Sequence, residues 1–171
     1  ITKSDLPYTL TGNKVKYNSN SDTVVNDEFY FITQDGKASS CPGRIQLTII
    51  PDNDAPVATA QETLTTDEDV ALSITLAGTD VDSSTSDFSY IIGTLPSNGT
   101  LKQGDTQINA AETTLTGTDI TYTPNSNYSG NDSFTFKIKD KGVSSDGVTD
   151  VETSAAANIS ITVNNTDNDP P

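Results

Sequence analysis

Two short stretches carry the densest oxygen chemistry in the chain: Pro51-Asp52-Asn53-Asp54-Ala55-Pro56 and its near copy Thr166-Asp167-Asn168-Asp169-Pro170-Pro171. In each, two carboxylates and an amide precede a proline, which cannot donate to a sheet ladder and biases the residue before it towards an extended backbone. Hard cations such as calcium take roughly six to eight oxygen ligands from Asp, Glu, Asn and main-chain carbonyls, so each stretch is a candidate half-site. The plain alternative is a polar linker with incidental acids. Further acids recur at the ends of expected strands. Glu68-Asp69 precedes one such strand and Asp80-Val81-Asp82 follows it, while Asp27-Glu28 and Asp132 open strands that end at Asp35 and Asp140. Taken singly, each is accounted for as a turn residue capping its own backbone. Taken together, their spacing favours ligation.

Other chemistries find little to work with. The chain has no His, and Cys41 is its only cysteine, so no intrachain disulfide can form and the Ser40-Cys41-Pro42-Gly43 thiol lacks an activating base. There is no His-Glu-x-x-His, no Gly-x-Ser-x-Gly and no phosphate loop. With 24 acidic and 9 basic residues the formal charge is -15, which argues against a nucleic-acid partner because phosphate contacts need clustered Lys or Arg. No apolar run is long enough to span a membrane. The chain starts without Met or a signal-peptide pattern, and so reads as an excised piece of something longer.

The elements that must position the acids repeat. Leu10-Thr11-Gly12, Val15, Tyr17, Asn26-Asp27, Phe29, Phe31 and Asp35 match Leu115-Thr116-Gly117, Ile120, Tyr122, Asn131-Asp132, Phe134, Phe136 and Asp140 at a constant offset of 105 residues. From there to the end of the linker the second copy is longer by ten residues, which puts the extra length around Gly142–Thr153. A repeat of this size is a domain in series. The complete copy has seven expected strands: Val57–Thr65, Val70–Ala77, Phe88–Thr94, Thr100–Gln103, Asp119–Thr123, Ser133–Lys139 and Ala155–Val163. Alternation is clearest where Phe134, Phe136 and Ile138 interleave with Thr135, Lys137 and Lys139. This predicts an all-β, seven-strand immunoglobulin-like sandwich over 55–169, preceded in 1–54 by the C-terminal half of a like repeat with strands Lys14–Tyr17, Glu28–Thr33 and Arg44–Ile50.

Asp52-Asn53-Asp54-Ala55-Pro56, Thr79-Asp80-Val81-Asp82, Tyr90, Asn98-Gly99-Thr100-Leu101, Tyr122-Thr123-Pro124-Asn125, Tyr128-Ser129-Gly130-Asn131-Asp132-Ser133-Phe134 and Asp140 together carry a resemblance. The chain resembles the bacterial cadherin-like, immunoglobulin-fold tandem repeats of large surface and secreted adhesins. The resemblance implies calcium at the junctions between repeats. Carried over by position, it gives an upper site of Asp27, Asp52, Asn53, Asp54, Asp80, Asp82 and Asp140, and a lower site of Glu68, Asp132, Asp167, Asn168 and Asp169. The Leu-Asp-Arg-Glu motif of animal cadherins is absent, which leaves one ion or three per junction equally open.

The expected function is a non-enzymatic extracellular or cell-surface module, stiffened by Ca2+, whose partners are neighbouring repeats of the same polypeptide. The half repeat is expected to be covered by a second copy of the chain. A different class, a carbohydrate-binding module of a secreted polysaccharide-degrading enzyme, would need exposed aromatics. Without Trp it would rest on Tyr8, Tyr30 and Tyr128, expected to be partly core.

Overall fold

The computed structural model of the chain describes residues 9–12, 14–18, 25–49, 53–142 and 149–166. Its strands are β1 (Val25–Phe31), β2 (Gly43–Ile49), β3 (Val57–Ala58), β4 (Gln61–Asp67), β5 (Leu72–Thr75), β6 (Gly78–Thr79), β7 (Ser89–Thr94), β8 (Gly99–Gln103), β9 (Thr106–Ile108), β10 (Thr113–Thr114), β11 (Asp119–Pro124), β12 (Gly130–Lys139) and β13 (Ala157–Asn164). The only helical turn among the described residues is a short 3-10 segment, Thr85–Asp87.

Period-two patterning does what it should. In β12 and β13 every second side chain, Phe134, Phe136, Ile138, Ile159, Ile161 and Val163, is buried, while Ser133, Lys139, Asn158 and Thr162 face water. These strands lie in a five-stranded sheet of order β10-β7-β12-β13-β4, in which β13 and β4 run parallel. A four-stranded sheet, β5-β11-β8-β9, contributes Ile74, Ile120, Tyr122 and Leu101 to the same apolar cluster. The core therefore lies between two sheets.

Three features differ from the sequence-based expectation. The single strand expected over Val57–Thr65 is two strands: β3 pairs with β6, and after Thr59 and Ala60 the chain re-enters as β4 alongside β13. Thr59 donates to the Ala77 carbonyl at 2.9 Å, so the break is itself hydrogen-bonded. Two short strands, β9 and β10, form in a polar segment without alternation to announce them. Residues 14–17 are not a strand.

The β1–β2 hairpin reproduces β12–β13 in register. Phe29 faces Ile45 and Asp27 faces Leu47, just as Phe134 faces Ile159 and Asp132 faces Ile161. One face carries Phe29, Phe31, Ile45, Leu47 and Ile49; the other carries Asn26, Glu28, Tyr30, Arg44, Gln46 and Thr48. Contrary to expectation, Tyr30 is not core. It is 59% exposed on the polar face, its hydroxyl donating to Glu28, which also pairs with Arg44 at 3.0 Å. Tyr128 is half-buried, and Tyr8 lies outside the described residues.

Gly99 lies under the fully buried Tyr122 ring, where a Cβ would run into the ring atoms. Gly99→Ala is expected to cost about 1–3 kcal/mol, the usual penalty of overpacking. Urea denaturation followed by tyrosine fluorescence measures it, and an unchanged midpoint would mean that the ring has room to move.

Candidate metal centre

The linker enters the sandwich at Asn53 and Asp54, beside the loop after β6. The Asp54 N–H donates to Asp82 Oδ2 at 3.1 Å, and the N–H groups of Asp82 and Ser83 donate to Asp80 Oδ1 at 3.1 and 3.4 Å. Asp80 thus caps its own turn, as Asp does well. Asp80 Oδ2 and Asp82 Oδ1 are buried and have no hydrogen-bond partner. Burial pushes the Asp82 carboxyl above the usual carboxylate range; the Asp80 carboxyl beside it adds to the rise, while the Asp54 N–H acts against it. Such an arrangement of hard oxygens suits a hard cation. Among the described residues, no group of three or more Asp, Glu, His or Cys side chains is disposed to hold a metal by itself. Asp52 lies outside the described residues.

Asp140, at the end of β12, sits beside the same linker and is 2% exposed. Its Oδ2 accepts from Asn53 Nδ2 at 2.8 Å, and its Oδ1 accepts from the N–H groups of Gly142 and Glu152 at 3.2 and 2.8 Å. Near the opposite linker, buried Glu68 accepts from the N–H and hydroxyl of Thr166 at 2.7 and 3.3 Å. Asp167, Asn168 and Asp169 lie outside the described residues.

Asp132 is engaged elsewhere. Although 7% exposed, its carboxylate accepts four hydrogen bonds: from the N–H groups of Ser97, Asn98 and Ser133 and from the Tyr122 hydroxyl, all within 2.9–3.0 Å. It ties β12 in one sheet to β11 in the other and to the turn between β7 and β8. Asp27, its counterpart in the first copy, accepts from the Tyr17 hydroxyl and from the Glu28 N–H, both at 2.8 Å. Those bonds hold the Asp27 carboxyl below the usual carboxylate range, the Tyr17 hydroxyl contributing most.

Residues 53–162 match the family described as bacterial Ig domain. The chain belongs to that family. The fold of this Ig domain chain is similar to the crystal structure of human protocadherin-24 EC1-2, with a TM-score of 0.55 and 18% identity over 85% of this chain and 67% of that one. Against mouse protocadherin-24 EC1-3 the TM-score is 0.50 and the identity 16%, covering 81% of this chain and 44% of that one. At such identities the likeness is one of fold: a bacterial Ig-like, cadherin-like repeat. None of the curated proteins matches the chain. Ig-like and cadherin-like repeats are non-catalytic types of domain.

Within the Ig domain, the Tyr122–Asp132 bond is a feature that the pattern of acids alone does not announce. The sequence carries its signal: a Tyr ten residues before an Asp at the third position of a strand, in both copies. Tyr122→Phe removes a donor to a buried carboxylate and is expected to lower sandwich stability by about 1.5–3 kcal/mol. Tyr17→Phe breaks the matching bond at the surface and should leave the melting of the sandwich unchanged. Paired thermal melts of the two variants check both statements.

Proposed function

We propose that the chain is a non-enzymatic extracellular tandem-repeat module, which binds calcium at the linker to stiffen a bacterial adhesin or other cell-surface protein. Residues 55–169 act as one repeat and residues 1–54 as the C-terminal part of another, and neighbouring repeats are the partners. The observation that carries this reading is the pair of buried, unpartnered oxygens, Asp80 Oδ2 and Asp82 Oδ1, next to the linker. Desolvated carboxylate oxygens without donors are costly; a proton shared by the two carboxyls removes the cost in acid, and a divalent cation removes it once both are ionised. Asp54, whose N–H is bonded to Asp82, is the linker carboxylate next to them, and main-chain oxygens would complete the shell; Asp52 is the further ligand expected from the sequence. The family match supports the surface location, because bacterial Ig domains usually occur there. The carbohydrate-binding reading rests on one exposed tyrosine, Tyr30, and has weaker support.

Calorimetry should give a Kd of about 10⁻⁴ to 10⁻³ M, the range of extracellular calcium modules. At a free calcium concentration 100 times Kd, the folded state gains about 2.7 kcal/mol, seen as a rise in Tm. Asp82 supplies a sharper test. Its folded-state pKa is raised, so its contribution to stability is complete below the unfolded pKa and is lost as pH rises through the folded value. Above both pKa values and without a cation, the Asp82 charge therefore destabilises the fold. Asp82→Asn is expected to raise Tm in chelator and to abolish most of the calcium-dependent rise. No calcium uptake by the parent chain, or a calcium response left intact in Asp82→Asn, would overturn the reading.

A further inference from the structure

We propose that Asp140 is a positioning residue: it latches the linker to the domain through Asn53 and so holds Asp54 against the Asp80–Asp82 loop before any cation is bound. The proposal rests on the calcium reading for its effect on affinity, while the latch stands on its own geometry. A position at the end of β12 beside an acidic linker reads from sequence as one more ligand. The hydrogen bonds give it a further role that needs no cation. Both Asp140 oxygens already accept bonds, Oδ1 from two backbone N–H groups and Oδ2 from the Asn53 amide. Each donor comes from a different stretch of chain, namely the linker, the turn after β12 and the returning segment at Glu152. Because a carboxylate only accepts, the Asn53 side chain must present its NH2 to Asp140.

Gly142 completes the latch. A Cβ at this position would collide with the Asn53 side-chain amide, so the pocket that seats Asn53 exists only because residue 142 has no side chain. Asn53 is thereby held between a buried acid and a bare backbone. One residue further on, the Asp54 N–H is bonded to Asp82. These contacts need no cation. They fix the linker from Asn53 onwards to the domain that follows it, so that uptake of the ion orders ligands already half assembled.

Two arms test this. In the first, 15N-labelled full chain is held in chelator and hydrogen exchange is followed by NMR. The Asn53 side-chain amide should exchange about tenfold more slowly than that of exposed Asn127. Equal exchange would overturn the latch whatever the calcium result. Protected exchange in a parent chain that takes up no calcium would instead keep the latch and discard the calcium reading. In the second arm, Gly142→Ala evicts Asn53 and leaves every carboxylate in place. It should free the Asn53 amide and weaken calcium binding about tenfold, the scale of one lost charge-assisted hydrogen bond. Asp140→Ala removes the acceptor and should free the Asn53 amide in the same exchange measurement. An Asn53 amide that stays protected in Asp140→Ala, or calcium binding unchanged in Gly142→Ala, would overturn the proposal. Thermal melts of each variant confirm that it is folded.

Discussion

A carboxylate withdrawn from water must find donors or a cation, since an uncompensated buried charge costs several kcal/mol. That constraint arranges both ends of this domain. Asp132 meets it with four hydrogen bonds, Asp140 with three, and Glu68 with bonds that include two from Thr166. In meeting it, each acid draws together segments distant in sequence, so the acids act as tie points for the loops that close the sandwich. Asp80 and Asp82 meet it only in part. The contrast between spent and unspent oxygens separates structural acids from a candidate ligand pair more sharply than their number or proximity does.

The internal repeat extends this accounting from one copy to the other. Asp35 and Asp140 both accept an N–H from the residue two positions on, Lys37 and Gly142 respectively. Asp27 and Asp132 both accept from the next N–H and from a tyrosine hydroxyl. The two hairpins share their register even though the loop between their strands differs in length. What is repeated is thus a set of hydrogen bonds together with a hydrophobic pattern, which is stronger evidence of a common unit than matched letters.

The all-β architecture was legible in the sequence because Phe134, Phe136, Ile138, Ile159, Ile161 and Val163 alternate strictly, and one buried face leaves a single register open to them. The crossing from β3 to β4 was not legible. Val57, Ala58, Thr59, Ala60 and Gln61 form a continuous β-compatible run, and only the competition between two partner strands, β6 and β13, decides where it breaks. The acids were legible as a group but not as individuals. An Asp near a strand end looks alike in sequence whether its lone pairs meet the N–H groups of a neighbouring turn, as at Asp132, or are buried without a donor, as at Asp82. The distinguishing information lies in distant donors, such as the Ser97 and Asn98 N–H groups, which adjacent residues do not encode.

The parallel pairing of β4 with β13 has a mechanical meaning. These strands lie close to the entry and exit of the domain and meet side by side from Gln61 opposite Ile159 to Asp67 opposite Asn164. Tension applied through the two linkers would drag β4 and β13 past each other along their length. Their ladder would be loaded in shear, its rungs sharing the force, instead of being unzipped one rung at a time as at the end of a hairpin. Loaded in this way, the ladder gives only when several of its hydrogen bonds fail together.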